Sequence, residues 1–337
     1  MPAAARESSW YTVAIVRQEE REVRRVFGLG DLLVLITTVM WASSFTVIKS
    51  AYDEFTPLAF AAVRFAAASA GMLLLLALLR RPLVIARRDL LRAAIIGVFH
   101  VGFYQIFFST GLRYTTASNS VLIIAVSPVI TASLVWLTRA EPITWRQAVG
   151  IALALLGVFV LVEAGGSLSA GHLKGDVLTL LAAASYAVTP VLVLPLLRRY
   201  ATVTVMTIGM VFGTLLLIAV GLPELVRQSW NVSATAWGQL AYAAFGAGTL
   251  GYLFWYEGIG RIGPTRVAAY SYLIPVLGVA IAVTVLHEVF TALHLLGAVV
   301  ALVGVALTRW PAQAPSAEGR TPAGRRIETP QAAKGGS

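Results

Sequence analysis

His100 stands inside an apolar run, with Tyr104 and Phe108 four and eight residues further on. On a helix these three share one face. That face combines a titratable imidazole with two aromatic surfaces. An imidazole, with an ordinary pKa of about 6.5, can bind or relay a proton, or simply bond to a carbonyl. The rings can line a cavity for an apolar or aromatic group. Trp41, Tyr186 and Tyr252 also lie within apolar runs and are candidates for the same cavity. Trp255 and Tyr256 follow near the end of their run, where aromatic belts are ordinary. Tyr270 and Tyr272 point to different faces, so at most one lines a pathway, and Tyr270 is the candidate.

Charged and polar groups inside apolar runs are expensive and therefore informative. Arg64 is such a group and needs a partner carbonyl or carboxylate. Lys49 ends the first run, where it can attract a carboxylate or phosphate or snorkel to the interface. Asn119 can bond across helices or touch a solute. Pro128 and Pro275 each remove a backbone donor within a run, which gives a kink or a hinge. Glu141 and Glu288 read as equivalent caps or loop locks.

Enzyme chemistry is poorly supplied. Cysteine is absent, which removes disulfides, thiolate metal sites and cysteine nucleophiles. Four histidines occur without a His-x-x-x-His pair, so no metal site is expected. The adjacent acid partner of a histidine is found in His287-Glu288, which falls in a loop. No phosphate-binding loop is present. Gly246-Ala-Gly248-Thr-Leu-Gly251 fits a G-x-G-x-x-G pattern, but it lies inside an apolar run with no preceding strand. Its small residues suit close helix packing instead. We expect no catalytic residues and no cofactor.

The elements that must position these groups are membrane helices. The chain is 58% hydrophobic and only 12% charged, against about 25% charged in soluble domains. A span needs about 20 apolar residues. Ten runs qualify: 30–49, 57–79, 92–111, 117–138, 145–163, 175–196, 203–221, 236–256, 265–286 and 290–309. The lipid bilayer is thus the first partner. Residues 1–28 are polar and basic with no cleavage site, so the first run acts as an uncleaved anchor. Residues 310–337 carry little apolar content and read as a disordered tail.

The net charge of +10 invites a nucleic-acid reading. The distribution of charge excludes it. With the N-terminus inside, the inner segments hold 21 Lys and Arg and the outer ones 4, in strict alternation. That is the positive-inside pattern, with both termini cytoplasmic. Abundant Ala and a preference for Arg over Lys point to a bacterial, inner-membrane setting.

The runs also repeat. At a shift of 147 residues, Gly111, Pro128, Glu141, Gly150 and Gly157 coincide with Gly258, Pro275, Glu288, Gly297 and Gly304. A shift of 145 pairs Gly30-Asp31 with Gly175-Asp176 and Trp41 with Tyr186, while Lys49 meets Leu194. Five helices per repeat is odd, so the second copy enters the membrane from the opposite side. Inverted repeats are typical of secondary transporters, with the solute held near the midplane between the halves. We expect an all-α integral membrane protein whose first repeat covers residues 29–165 and its second 173–309.

Several stretches resemble a known family. Trp41-Ala-Ser-Ser-Phe-Thr-Val-Ile-Lys49, Thr56-Pro57-Leu58 with Arg64-Phe65, and Gly111 through Asn119 with Ser127-Pro128 are similar to the signature of EamA-type transporters of the drug/metabolite transporter superfamily. Glu141, Gly150 and Gly157 continue the pattern, and Gly263-Pro264-Thr265, Pro275, Glu288, Gly297 and Gly304 repeat it. The resemblance implies a secondary transporter of small organic metabolites working by alternating access, in a family that exports or imports many of them; we expect export, of solutes such as amino acids or amphiphilic drugs. The small-molecule solute is then the second partner, and proton coupling is open to His100. The competing readings are an importer or exchanger, including one of phosphorylated compounds, and a membrane enzyme or sensor. Oligomeric state is not legible in this chain.

Overall fold

A computed structural model describes residues 27–137, 144–164 and 170–308. The expectations for the N-terminal segment before residue 27, for Glu141 and for the tail from residue 309 lie outside these. Among the described residues there is no strand, and the helical segments group into ten. We number them α1 (Leu29–Ala51), α2 (Pro57–Leu78), α3 (Arg87–Gly97, Val98–Phe103 and Tyr104–Tyr114), α4 (Ala117–Ile124 and Ser127–Leu137) and α5 (Trp145–Ala164). The second set is α6 (Ala170–Leu197), α7 (Thr202–Arg227), α8 (Ala234–Ala241, Tyr242–Leu250 and Gly251–Ile262), α9 (Pro264–Tyr270 and Leu273–Val285) and α10 (Ala292–Thr308). Six segments are long and apolar enough to cross a bilayer by length and composition. The others are shorter, split, or diluted by Gly, Tyr and Trp. Helices α3, α7 and α8 extend beyond their apolar runs, because charged ends such as Arg87-Arg88-Asp89 remain helical outside the apolar stretch.

The contacts between helices map onto themselves when the halves are exchanged. Helix α1 packs on α8 and α9, as α6 packs on α3 and α4. Helix α2 meets α8, as α7 meets α3. The pairs α2·α7, α4·α9 and α5·α10 are their own images. At the α2–α7 contact Ser69 Oγ meets Thr214 Oγ1 at 2.9 Å, and these residues are equivalent under the 145-residue shift. At the α5–α10 contact a Cβ on Gly157 would stand 2.3 Å from the Ala301 backbone nitrogen. One on Gly304 would stand 2.3 Å from that of Ala154. Small residues thus let these two backbones touch, a packing mode suited to lipid, where apolar burial alone provides little drive.

Two local irregularities recur in both halves. Helices α3 and α8 each contain a π-helical stretch, ending at Phe103 and Leu250, which are equivalent under the 147-residue shift. Helices α4 and α9 each break one turn before the repeated proline, at residues 125–126 and 271–272. Pro128 cannot donate to the Ile124 carbonyl, and the Ser127 hydroxyl bonds it instead at 2.6 Å.

Candidate functional site

The π-helical stretch of α8 carries the motif that mimics a dinucleotide loop. A wider helix leaves some carbonyls free of regular i→i−4 pairing. Two of them receive side chains from the first half. Arg64 Nε–H donates to Ala243 O at 3.2 Å, and Trp41 Nε1–H donates to Ala247 O at 2.9 Å. Gly251 lets the indole approach, since a Cβ there would stand 2.9 Å from Trp41 Nε1.

These residues border a cavity of about 250 Å³ between the two halves. Its aromatic lining includes Trp41 of α1, Tyr104 and Phe108 of α3, Tyr186 of α6, and Tyr252 and Trp255 of α8. Arg64, Gln105, Pro128, Tyr272 and Pro275 also line it, together with the hydroxyls of Ser44, Ser127 and Ser271. The rings form two series. Trp255 lies 4.8 Å from Trp41 between centroids, and Trp41 lies 5.3 Å from Tyr252. On the far side Tyr186 lies 5.5 Å from Tyr104, which stacks on Phe108 at 5.7 Å. Each such pair adds about 0.5–1.5 kcal/mol beyond burial. Trp41 and Tyr186, equivalent in the repeat, thus stand one in each series.

Two lining groups have unused polar capacity. Arg64 is 7% exposed, and its single Nε–H donates to Ala243 O. Among the described residues no carboxylate lies within ion-pair reach of its guanidinium. Gln105 is buried, and its Oε1 has no hydrogen-bond partner among the described residues.

Four candidates stand away from the cavity. His100 lies behind its wall, 5.2 Å from the Tyr186 ring and 6.1 Å from that of Tyr252. It faces a void of about 10 Å³ shared with Thr207, Met206, Met210 and Tyr256, about the space of one water. Neither ring nitrogen of His100 has a protein partner among the described residues. Lys49 does not line the cavity: its Nζ donates to Leu112 O at 2.7 Å and Thr115 O at 2.6 Å, capping the end of α3. Tyr270 turns to α1, where its hydroxyl donates to Asp31 Oδ1 at 2.9 Å. The break at residues 271–272 directs Tyr272 to the cavity in its place. Asn119 sits in the first turn of α4, its backbone N–H bonded to the Thr116 hydroxyl, and it does not line the cavity.

The ends of the bundle are fastened by related devices. Asp31 is buried and pairs with Arg266 Nε at 2.8 Å. Its equivalent, Asp176, accepts from the Thr115 hydroxyl, and Asn119 occupies the position equivalent to Arg266. Glu288 accepts from the backbone N–H groups of Ala117 and Ser118 at 2.7 and 2.9 Å, which makes it a cap on α4.

Sequence periodicity missed Gln105, Trp255 and Tyr272. The π stretch ends at Phe103, one residue before Tyr104, and both Tyr104 and its neighbour Gln105 line the cavity. Trp255 reads as an interfacial residue from its place near a run's end, but its helix continues to Ile262, which leaves it deeper.

Comparison with known proteins follows the same division of the chain. Residues 28–163 and 173–310 each match the EamA-like transporter family. An uncharacterised transporter of Bacillus subtilis is 30% identical over 81% of this chain and 91% of its own length. A probable amino-acid metabolite efflux pump of Salmonella typhimurium is 31% identical over 81% and 92%. A probable terminal-alkyne amino-acid exporter of Streptantibioticus cattleyicolor is 29% identical over 81% and 91%. A solved crystal structure shares the fold with a TM-score of 0.60 at 15% identity, over 83% of this chain and 96% of that one.

Proposed function

The chain belongs to the EamA-like transporter family, and we propose that it exports a small organic solute of amino-acid size through the cavity between its halves. The observation that carries this reading is the cavity itself. It lies where inverted repeats hold their solute, and the repeat-equivalent Trp41 and Tyr186 both line it. Pockets for drug-sized ligands measure roughly 300–1,000 Å³, so a cavity of about 250 Å³ favours the smaller solute. The names of the efflux relatives favour an amino acid and outward movement. A phosphorylated solute would call for several cations, and Arg64 is the sole cation in the lining among the described residues.

In this reading residues 29–165 and 173–309 are the two halves that rock, with the breaks before Pro128 and Pro275 as paired hinges. Both termini face the cytoplasm of a bacterial inner membrane, as the Lys and Arg distribution favours. His100 supplies proton coupling through its unpartnered ring nitrogens beside Tyr186 and Tyr252.

The test is purified protein in liposomes, loaded with labelled amino acids or cationic amphiphiles and assayed with and without a pH gradient. Transport of apolar amino acids is expected, and no movement of any solute would sink the reading. His100→Ala is expected to remove the response to the gradient. An unchanged response would reject the coupling role.

A further inference from the structure

Arg64 carries a buried charge that the protein meets only in part, with one carbonyl and with the Phe65 ring, whose centroid lies 4.9 Å from Cζ. Its side chain enters the bundle about 10 Å along α2 from the helix start and is buried against the cavity. A guanidinium has five N–H donors. One of them, on Nε, is held by Ala243 O, a carbonyl within the π-helical stretch of α8. The remaining four have no hydrogen-bond partner among the described residues, and no carboxylate pairs with the charge there. Buried charges are normally paired, because desolvation is otherwise uncompensated. The Nε tether also fixes the plane of the guanidinium, so the fork of its two terminal nitrogens is presented with little freedom left to lose. A fork of that kind matches a carboxylate in bidentate fashion. Gln105, in the same cavity lining, has a buried Oε1 with no partner among the described residues, an acceptor suited to an ammonium or another N–H. Apolar walls from Trp41, Tyr104, Phe108 and Tyr252 complete the chamber.

We propose that Arg64 receives the carboxylate of the transported solute, so that the solute class is a carboxylate carrying an apolar or aromatic tail. The solute supplies the counter-charge that the bundle lacks, and the aromatic walls take the tail. An α-ammonium group, where the solute has one, goes to Gln105. Cationic amphiphiles without a carboxylate are disfavoured, because they bring a second positive charge beside an unpaired one. This inference rests on the cavity being the transport site.

The experiment uses the full-length protein in liposomes and a panel of probes that share one tail: L-phenylalanine, 3-phenylpropanoate and phenethylamine. Each competes for exchange of labelled L-phenylalanine, and direct efflux of each is measured as well. In the wild type, the two carboxylates are expected to outcompete the amine by about 10- to 100-fold, the range of a charge-assisted hydrogen bond. In Arg64→Gln that preference is expected to fall to within a few-fold, with Arg64→Lys intermediate because a point charge replaces the fork. Size-exclusion profiles and thermal melts establish that the variants fold. Should Arg64→Gln fail to fold, the wild-type ranking and Arg64→Lys still decide.

Equal competition by acid and amine in the wild type, or efflux of the amine alone, overturns the carboxylate assignment while leaving transport intact. A folded Arg64→Gln that keeps the full acid preference removes Arg64 from the role. No movement of any probe overturns both the solute class and the site.

Discussion

Asp31 ties the beginning of α1 to the beginning of α9, and its removal tests whether that tie keeps one end of the bundle shut. The carboxylate accepts from Gly28 N–H at 3.0 Å, from the Tyr270 hydroxyl at 2.9 Å and from Arg266 Nε at 2.8 Å. Asp31→Asn keeps an acceptor oxygen for Gly28 or Tyr270 and loses the charge that holds Arg266. A hydrogen bond to a charged partner contributes about 1.5–3 kcal/mol. The Arg266 side chain is 41% exposed, so water recovers part of this, and about 1.5–2 kcal/mol is the expected loss. If the contact exists only while that end is closed, the ratio of open to closed rises about 10- to 30-fold, at 1.4 kcal/mol per decade. The chain has no cysteine, so Ala125→Cys places a single thiol at the cavity lining. Its labelling by a membrane-impermeant thiosulfonate, applied to one side of oriented vesicles at a time, reads accessibility. Asp31→Asn is expected to speed labelling from the side where α1 begins. A change below twofold, or equal acceleration from both sides, would refute the latch. Asp176→Asn serves as the comparison, with a smaller effect expected because Thr115, its partner, is neutral.

Trp41→Phe keeps a ring against Tyr252 and Trp255 but strands the Ala247 carbonyl. It should weaken half-saturation for solute about fivefold, the equivalent of about 1 kcal/mol, and Trp41→Ala should weaken it further; equal effects in transport kinetics would count against the wall. Gly157→Leu must push α5 from α10, since even a Cβ meets backbone at 2.3 Å. Overpacking costs at least about 1–3 kcal/mol, so a lower melting temperature in detergent is expected, with Gly157→Ala less severe. Glu54, in the loop between α1 and α2, accepts from the Ser233 hydroxyl at 2.5 Å and the Ser233 N–H at 2.6 Å. Those bonds, the hydroxyl first, hold its carboxyl below the ordinary value of 4.5. A depressed folded-state pKa contributes stability that is fully present above 4.5 and is lost as pH falls through the folded value. Melting curves should therefore show an advantage of wild type over Glu54→Gln at pH 7 that shrinks below about 4.5; an advantage that grows with acid would reverse the argument.

Much of the architecture was legible in one dimension. A bilayer demands long apolar segments with internally satisfied backbones, so hydropathy alone marks ten helices and the Gly, Pro and Glu spacings mark the repeat. The same pattern singles out Arg64, because a charge in an apolar run is expensive and calls for a partner carbonyl or carboxylate. Sequence also lists the aromatic residues from which a cavity wall is built. What it cannot weigh is which of them meet.

That question belonged to the tertiary structure. His100, Tyr104 and Phe108 share a face on a regular helix, yet the π turn at 98–103 shifts the phase, so His100 lies behind the wall while Tyr104 and Phe108 line the cavity. Tyr270 and Tyr272 are indistinguishable by composition, and the break before Pro275 sends one to Asp31 and the other to the cavity. Lys49 looks as available as Arg64 until the end of α3 arrives to take its ammonium. In each case the partner lies 60 or more residues away or the helix departs from 3.6 residues per turn. Local spacing encodes neither. The ten helices and their duplication are thus properties of the sequence, because they follow from solvent and period. The cavity and its unpaired cation exist only where helices of one half meet helices of the other.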